Sequence, residues 1–356
     1  MSTSPTPSPA PASAGLAPAA PSAPARERVG RRFDPAELLG RFAPTLFLLL
    51  LVAILAYLEP GFRTERNLFN VLRQISFIGI LAVGMTFVIL TAGIDLSVGS
   101  LLAFAGIVCA SAAKGTRSLL TGGVKDDGGV QVLYAVLAAV GVGLAIGLLQ
   151  GTLIGRLGIP AFIVTLGGLG AWRGATLVWS DGQPISSFSD DFKYWGQEFL
   201  GPVPIPVVVF LSLVVIAHLV LRYTQYGRWI YALGGNPEAA RLSGLNTTAL
   251  TVSVYTISGL CAGLAAFLLT SRLNSAEQVA GQNYELRAIA AVVIGGTSLF
   301  GGQGSVLGTF VGAMLIGVLD NGLVILGVSP NYQPIVVGSV IVLSVFVDQA
   351  VKKRRR

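Results

Sequence analysis

The stretch that decides the fold is VGMTFVILTAGIDLSVGSLLAFAG, residues Val83–Gly106. It consists of two apolar runs separated by a short polar segment that holds one carboxylate, Asp95. A helix needs about 20 consecutive apolar residues to cross a hydrocarbon core of roughly 30 Å. Runs of this kind recur along the whole chain, so the stretch predicts two neighbouring spans in a protein that lies mostly within a membrane.

The composition of the chain excludes a soluble fold. Of its 356 residues, 53% are hydrophobic and only 12% are charged, whereas soluble domains carry about 25% charged residues. The net charge of +7 comes from basic residues in the tails and short loops, which argues against a nucleic-acid-binding face. The single histidine, His218, and two cysteines within apolar stretches, Cys109 and Cys261, leave no histidine-based metal or catalytic cluster.

The pattern of apolar runs predicts an all-α, polytopic membrane helical bundle of about ten transmembrane helices. Eight spans with additional re-entrant segments are the alternative to this count. The expected spans are Phe42–Leu58, Gln74–Thr91, Ser97–Ala113, Val130–Ile154, Ala161–Trp179, Ile205–Leu221, Leu250–Thr270, Leu286–Phe300, Ser305–Val328 and Gln333–Val347.

The distribution of lysine and arginine predicts the orientation, because cytoplasmic loops carry an excess of these residues. Five arginines precede the first span and the chain ends in Lys352–Arg356. Both termini are therefore expected in the cytoplasm, with the acidic loop 181–198 outside and the basic loop 222–248 inside. Arg63 and Arg66 are exceptions to this rule, because the same count of spans places them outside.

Three regions are expected along the chain. Residues 1–41 form a Pro/Ala-rich, disordered and then basic cytoplasmic tail, since the first part shows no hydrophobic periodicity. Residues 42–348 form the membrane domain, and residues 349–356 form a basic cytoplasmic tail. The N-terminal tract is not a signal peptide, because it has no basic start followed by an apolar core.

The first interruption of the apolar pattern, Thr91–Gly99, is a candidate helix break or solute-pathway element. Asp95 and Ser97 can cap the helix that follows, and a carboxylate at this depth is costly and often functional. A tight turn between two spans explains the segment equally well. The candidate residues here are Gly93, Asp95, Ser97 and Gly99.

Two further interruptions lie near the C-terminus. The glycine-rich run Gly295–Gly304, which includes Gly302, lacks the P-loop lysine and is expected to be a helix break within the membrane domain. Asn321 interrupts the ninth span; a hydrogen bond between helices is favoured there over contact with solute.

The segment ALGGNPEAARLSGLN, Ala232–Asn246, is part of the longest polar stretch between the tails. Asn236 can cap a short helix, Pro237 fits its first turn, and Gly244 can end it. Such a helix exposes Glu238 and Arg241 and suits docking onto a partner; a capped, solvated loop is the alternative.

The stretches GIDLSVGS (Gly93–Ser100), ALGGNPEAARLSGLN and GGTSLFGGQGSVLGTFVGA (Gly295–Ala313) occur in this order. Together they resemble the permease subunits of bacterial ABC importers of the ribose/xylose type, in the branched-chain-permease superfamily. The resemblance extends from about Phe69 to Asp348. Ala92 replaces a glycine that is usual in the family.

The resemblance implies a permease in the bacterial inner membrane that is not itself an enzyme and holds no cofactor. ATP is bound by a cytoplasmic ATPase, and solute is delivered by a periplasmic or lipid-anchored binding protein. A homodimer of permeases and a monosaccharide such as ribose or xylose are further expectations. The residues expected to couple to the ATPase are Asn236, Pro237, Glu238, Ala239, Ala240, Arg241 and Gly244.

Two other classes of function remain as alternatives. An ion-coupled secondary transporter would place ionisable groups within the membrane, and Asp95 and Asp320 are the candidates, although no paired base or proton relay accompanies them. A membrane-embedded enzyme would need a nucleophile with a base, or a metal site, and the sequence offers neither pattern.

Overall fold

The structure is a computed structural model that describes residues 35–114 and 128–336, together with residues 338, 339, 342 and 346. Within these residues the chain forms helices α1–α12 in sequence order: Pro35–Leu58, Glu65–Leu90, Val98–Lys114, Gly128–Gly155, Ala161–Ser180, Asp190–Gln197, Ile205–Tyr223, Gln225–Gly235, Pro237–Leu242, Thr247–Leu273, Tyr284–Ile294 and Val306–Ile325. Four two-residue strands, β1–β4, accompany them: Ile185–Ser186, Phe199–Leu200, Val203–Pro204 and Ser275–Ala276. Short 3-10 helices cover Pro60–Arg63 and Pro330–Tyr332. The expected all-α fold is confirmed.

In the described part of the chain, 6 helices are long and apolar enough to cross a membrane, namely α2, α4, α5, α7, α10 and α12. Two shorter apolar helices, Ala43–Leu58 and Val98–Lys114, correspond to the first and third expected spans. The expectation of a polytopic membrane protein is thus confirmed. About half of the tenth expected span, residues 1–34 of the expected N-terminal tail and the C-terminal tail 349–356 lie outside the described residues.

One expected boundary needs correction. The first helix begins at Pro35, and its apolar part, Ala43–Leu58, matches the expected span Phe42–Leu58. The expected end of the eighth span at Phe300 is wrong, because α11 covers only Tyr284–Ile294. The helix ends in a Schellman motif, in which Thr297 N–H donates to Val292 and Gly296, at φ +88°, donates to Val293.

Helices α2, α3 and α10 form the centre of the bundle. Helix α10 packs along α4, α2 and α3, and its contact with α4 is built on glycines: a Cβ at Gly143 or Gly147 would overlap backbone of α10. Such small residues let helix axes approach closely, which stabilises packing in lipid. Helix α5 is the most peripheral of the long helices, with only 17% of its apolar window buried.

The two ends of α10 define the two faces of the bundle. Its 27 residues extend about 40 Å at 1.5 Å per residue. Thr247 lies beside α9, whereas Leu273 leads into β4, which pairs antiparallel with β1. We call the first face the α9 face and the second the β4 face.

Candidate functional site

The first helix break lies between the end of α2 at Leu90 and the start of α3 at Val98. Both carboxylate oxygens of its aspartate, Asp95, accept hydrogen bonds. Asp95 is 1% exposed. Its Oδ1 accepts hydrogen bonds from the backbone N–H of Ser97 at 3.0 Å and from the Ser97 hydroxyl at 2.7 Å. Its Oδ2 accepts one from the hydroxyl of Ser258, on α10, at 2.9 Å. The carboxylate therefore fixes the break and ties it to the centre of the bundle.

Ser97 extends this network to α4. The amide Nε2 of Gln150 donates to the Ser97 hydroxyl oxygen at 2.9 Å, and Gln150 is 2% exposed. The sequence analysis missed Gln150, although a single amide within a long apolar run is a usable signal. One helix break is thus held by side chains from two neighbouring helices.

The remaining glycines of this break are sites of close approach. A Cβ at Gly93 would lie 2.6 Å from the hydroxyl oxygen of Tyr255, and a Cβ at Gly99 would overlap Glu285 and the carbonyl of Gly281. Gly99 therefore lets the segment before α11 pack on the first turn of α3.

The second break, between α11 and α12, contacts the first one directly. Gly301 and Gly302 both have positive φ, at +80° and +70°, a conformation that glycine adopts without steric cost. The N–H of Gly302 donates to the carbonyl of Leu90, the last residue of α2, at 2.9 Å. Two interruptions that are more than 200 residues apart in sequence are thereby joined through backbone atoms.

Helix α8 completes this contact. A Cβ at Gly234 would overlap the carbonyl oxygen of Leu90 and lie 2.6 Å from the nitrogen of Gly302. The Tyr231 hydroxyl donates to the carbonyl of Gly304 at 2.9 Å. Burial raises the pKa of Tyr231, so the phenol keeps the proton that it donates. We call the contact of Leu90, Gly234 and Gly302 the break junction; the sequence did not reveal it.

Helix α9 follows α8 immediately and has the local structure that the sequence predicts. The Asn236 side chain accepts from the N–H of Ala239 at 3.0 Å, Pro237 occupies the first turn, and Gly244 has φ +83°. Ala240 is buried at 5% exposure. Glu238 and Arg241 form an exposed ion pair at 2.7 Å. Exposed charge on a short capped helix suits docking onto a partner, and both the docking role and the partner stay predictions.

Asn321 makes the contact between helices that was favoured from sequence. Its Nδ2 donates to the Oδ1 of Asn67, on α2, at 2.9 Å, and the Nδ2 of Asn67 donates back at 3.1 Å. Its neighbour Asp320 is 1% exposed and forms an ion pair with Arg287, on α11, at 3.1 Å. Arg287 also donates to Gln333 at 2.9 Å. These polar groups join α2, α11 and α12 near the β4 face.

Arg173, on α5, binds the segment between β4 and α11. Its guanidinium donates to the carbonyls of Gln278 and Ala280, the latter at 2.9 Å. The peripheral helix α5 thereby holds the segment between β4 and α11, which needs partners because its backbone is not helical.

Comparison with known proteins identifies the family. Residues 67–345 match the family model described as branched-chain amino acid transport system / permease component. No solved structure gives a significant match to the chain.

Among curated proteins, the chain is 45% identical over 323 residues to the ribose import permease protein of Escherichia coli strain K12, covering 90% of this chain and 97% of that protein. It is 42% identical over 314 residues to the ribose import permease protein of Bacillus subtilis strain 168, covering 88% and 94%. It is 38% identical over 323 residues to the D-allose transport system permease protein of Escherichia coli strain K12, covering 90% and 95%.

Proposed function

Because the chain belongs to the branched-chain amino acid transport system / permease component family, we propose that it is the membrane permease subunit of an ABC importer for a monosaccharide. It works in the bacterial inner membrane with a cytoplasmic ATPase, which binds and hydrolyses the ATP. A periplasmic or lipid-anchored binding protein delivers the sugar. D-ribose is the first candidate, since relatives named for ribose import from two organisms are 45% and 42% identical to the chain.

The observation that carries this proposal is the break junction. Helix α9 exposes a charged ion pair, and α8, directly before it, packs without intervening side chains against the ends of both helix breaks. A partner that moves α9 therefore moves the backbone of two interrupted membrane helices. A subunit without its own nucleotide site needs such a mechanical connection to an ATPase.

The topology of the proposed subunit is ten spans with both termini in the cytoplasm. The α9 face is then cytoplasmic and the β4 face external, as the basic loop 222–248 and the acidic loop 181–198 favour. Helix α11, at 11 residues, crosses about half of a 30 Å core at 1.5 Å per residue. The segment before it then descends into the membrane and supplies the other half.

A second copy of the chain is the proposed partner within the membrane. The outward face of α5 carries Gly167, Gly170 and Gly174, and none of them has a neighbouring atom within 4 Å of a Cβ position. Small residues on an exposed face allow two helices to approach closely in lipid. We place the dimer contact and the solute path beside this helix.

The mechanism that follows is alternating access. Closure of the ATPase on ATP displaces α9, and the break junction transmits the displacement to α2 and to the segment before α12. The bundle then opens towards the other side of the membrane. Asp95 fixes the first break during this motion, because three hydrogen bonds hold its carboxylate.

An ion-coupled transporter is the alternative, and the surroundings of its two candidate carboxylates disfavour it. Asp95 accepts three hydrogen bonds within the bundle, and Asp320 is paired with Arg287. An ion-coupling carboxylate must exchange its partners with the transported ion, whereas Asp95 is held by three hydrogen bonds within the bundle and one oxygen of Asp320 is paired with an arginine.

The test is uptake of D-ribose into liposomes that contain the chain with the ATPase and binding protein encoded beside it. ATP on the cytoplasmic side should drive accumulation, and an ionophore that collapses ion gradients should leave it unchanged. Loss of uptake with the ionophore, or uptake that needs no ATP, would replace the proposal by the ion-coupled alternative.

A further inference from the structure

A cavity of about 340 Å³ opens between the β4 ends of α2 and α10 and the segment between β4 and α11. It lies within one copy of the chain and apart from the break junction. Its walls are formed by Gln74, Phe77, Leu269, Arg272, Leu273, Glu277, Val279, Ala280, Gly281, Gln282 and Tyr284. This volume is at the lower end of the range of small-molecule sites, roughly 300–1,000 Å³.

The wall of the cavity includes an arginine, Arg272, one of whose donor atoms lacks a hydrogen-bond acceptor. The Nη1 of Arg272 is buried and has no hydrogen-bond partner among the residues that the structure describes. Its guanidinium carbon lies 5.7 Å from the centre of the Phe77 ring, which is 2% exposed. A buried donor left unsatisfied costs about 1–3 kcal/mol, so turning the guanidinium towards an oxygen atom of a ligand in the cavity would be favourable.

The other polar groups suit a neutral, polyhydroxylated ligand. Gln74 and Gln282 offer amide donors and acceptors, and the exposed Glu277 offers a carboxylate. Tyr284, which is half-buried, adds aromatic surface on which the C–H face of a sugar ring can pack. A carboxylate on the same wall as Arg272 disfavours an anion, since like charges brought together in a cavity repel.

The wall of the cavity is also connected to the first helix break. Ala280 and Gly281 line the cavity, and the same two residues contact the guanidinium of Arg173 and the backbone of Gly99. A ligand that orders this wall therefore acts on α5 and on the first turn of α3.

We infer that this cavity is a monosaccharide subsite within a single copy of the chain, reached from the β4 face, with Arg272, Gln74 and Gln282 as the hydrogen-bonding residues. The inference rests on the proposed function for the choice of sugar as ligand. It adds a place where the permease itself contacts the sugar before the bundle opens.

The test is protection of an introduced cysteine from a maleimide reagent, using the full chain in lipid nanodiscs without the binding protein. Val279→Cys places a thiol on the exposed wall of the cavity without removing a hydrogen-bonding residue, and the natural Cys109 and Cys261 are buried. Millimolar D-ribose should slow labelling of Val279→Cys severalfold, whereas the same concentration of inorganic phosphate should not. The matched control is Arg66→Cys, exposed on the same side but outside the cavity, whose labelling should be insensitive to ribose.

A second variant tests the role of the unsatisfied cation. Arg272→Gln in the Val279→Cys background should abolish protection by ribose, whereas Arg66→Gln should preserve it. Absence of protection, protection by phosphate, or equal protection of Arg66→Cys would each overturn the subsite.

These results are separable from those of the uptake experiment. ATP-driven uptake without protection removes the subsite alone, and protection without ATP-driven uptake removes the importer proposal alone.

Discussion

The break junction and the β4-face cavity are built in opposite ways. At the junction, backbone touches backbone: a Cβ at Gly234 would overlap Leu90, and Gly302 donates to Leu90. Around the cavity, long charged side chains such as Arg272 and Arg173 span open space or hold a non-helical segment. Close-packed backbone transmits a displacement, whereas spaced polar side chains can rearrange around a ligand. On our proposals, the α9 face transmits force and the β4 face recognises the sugar.

The largest expected effect tests whether charged pairs stabilise the β4 side. Arg287→Gln leaves Asp320 buried without its partner, which should destabilise the protein by about 3–5 kcal/mol. Thermal unfolding in detergent measures the loss. The double variant Arg287→Met with Asp320→Leu should recover most of it, because an apolar pair leaves no uncompensated charge. An unchanged unfolding temperature in Arg287→Gln would contradict the importance of the pair.

Next is the carboxylate that fixes the first break. Asp95→Asn removes one acceptor and the charge, and hydrogen bonds to charged groups contribute about 1.5–3 kcal/mol each. We expect a lower unfolding temperature and reduced uptake. Ser258→Ala, which removes only the hydrogen bond from α10, should have the smaller effect. If Ser258→Ala were the more damaging change, the carboxylate would not organise the break.

The break junction offers a comparison between two adjacent glycines. Gly234→Ala forces a methyl group against Leu90, and overpacking of this kind costs about 1–3 kcal/mol. Gly235→Ala introduces the same methyl group where no atom lies within 4 Å and should be neutral in thermal unfolding. Equal unfolding temperatures for the two variants would show that the junction yields easily and is not close-packed.

The smallest effect on stability is expected at α9. Glu238 and Arg241 form a surface pair with both side chains more than 60% exposed, and such pairs contribute about 0–1 kcal/mol. Replacing both by alanine should leave unfolding unchanged but weaken co-purification of the ATPase. Arg156→Ala, another exposed arginine, is the control. Intact ATPase association and uptake in the double variant would contradict the assignment of α9 as the docking helix.

The part of the structure that the sequence predicts is local. The cap at Asn236, the turn at Gly244 and most span positions follow from residues that act on their immediate neighbours. The end of α11 was placed too late because Ala288–Ile294 is apolar throughout, whereas Gly296 at φ +88° ends the helix. Mean hydropathy reports how apolar a segment is, and it does not show where a glycine in the left-handed conformation ends the helix.

The part that could not be predicted depends on contacts between distant segments. Leu90 and Gly234 are unremarkable in sequence, and Gly302 was expected only as part of a helix break. The three residues become a junction only when three separate segments meet. In sequence, Arg173 resembles an arginine at the membrane interface. In the structure, its guanidinium binds the carbonyls of Gln278 and Ala280, more than 100 residues away. One sequence gives the type of each residue but not which distant backbone it will contact.

The most direct test of the central claim is the amount of D-ribose taken up per ATP hydrolysed by the reconstituted transporter carrying Gly234→Ala or Gly235→Ala. If the break junction transmits the movement of α9, Gly234→Ala should retain bound ATPase and ATP hydrolysis. Its uptake per ATP should fall by about tenfold, equivalent to about 1.4 kcal/mol, and Gly235→Ala should match the unmodified protein. Equal uptake per ATP in both variants would contradict the claim that the junction couples the ATPase to the membrane helices.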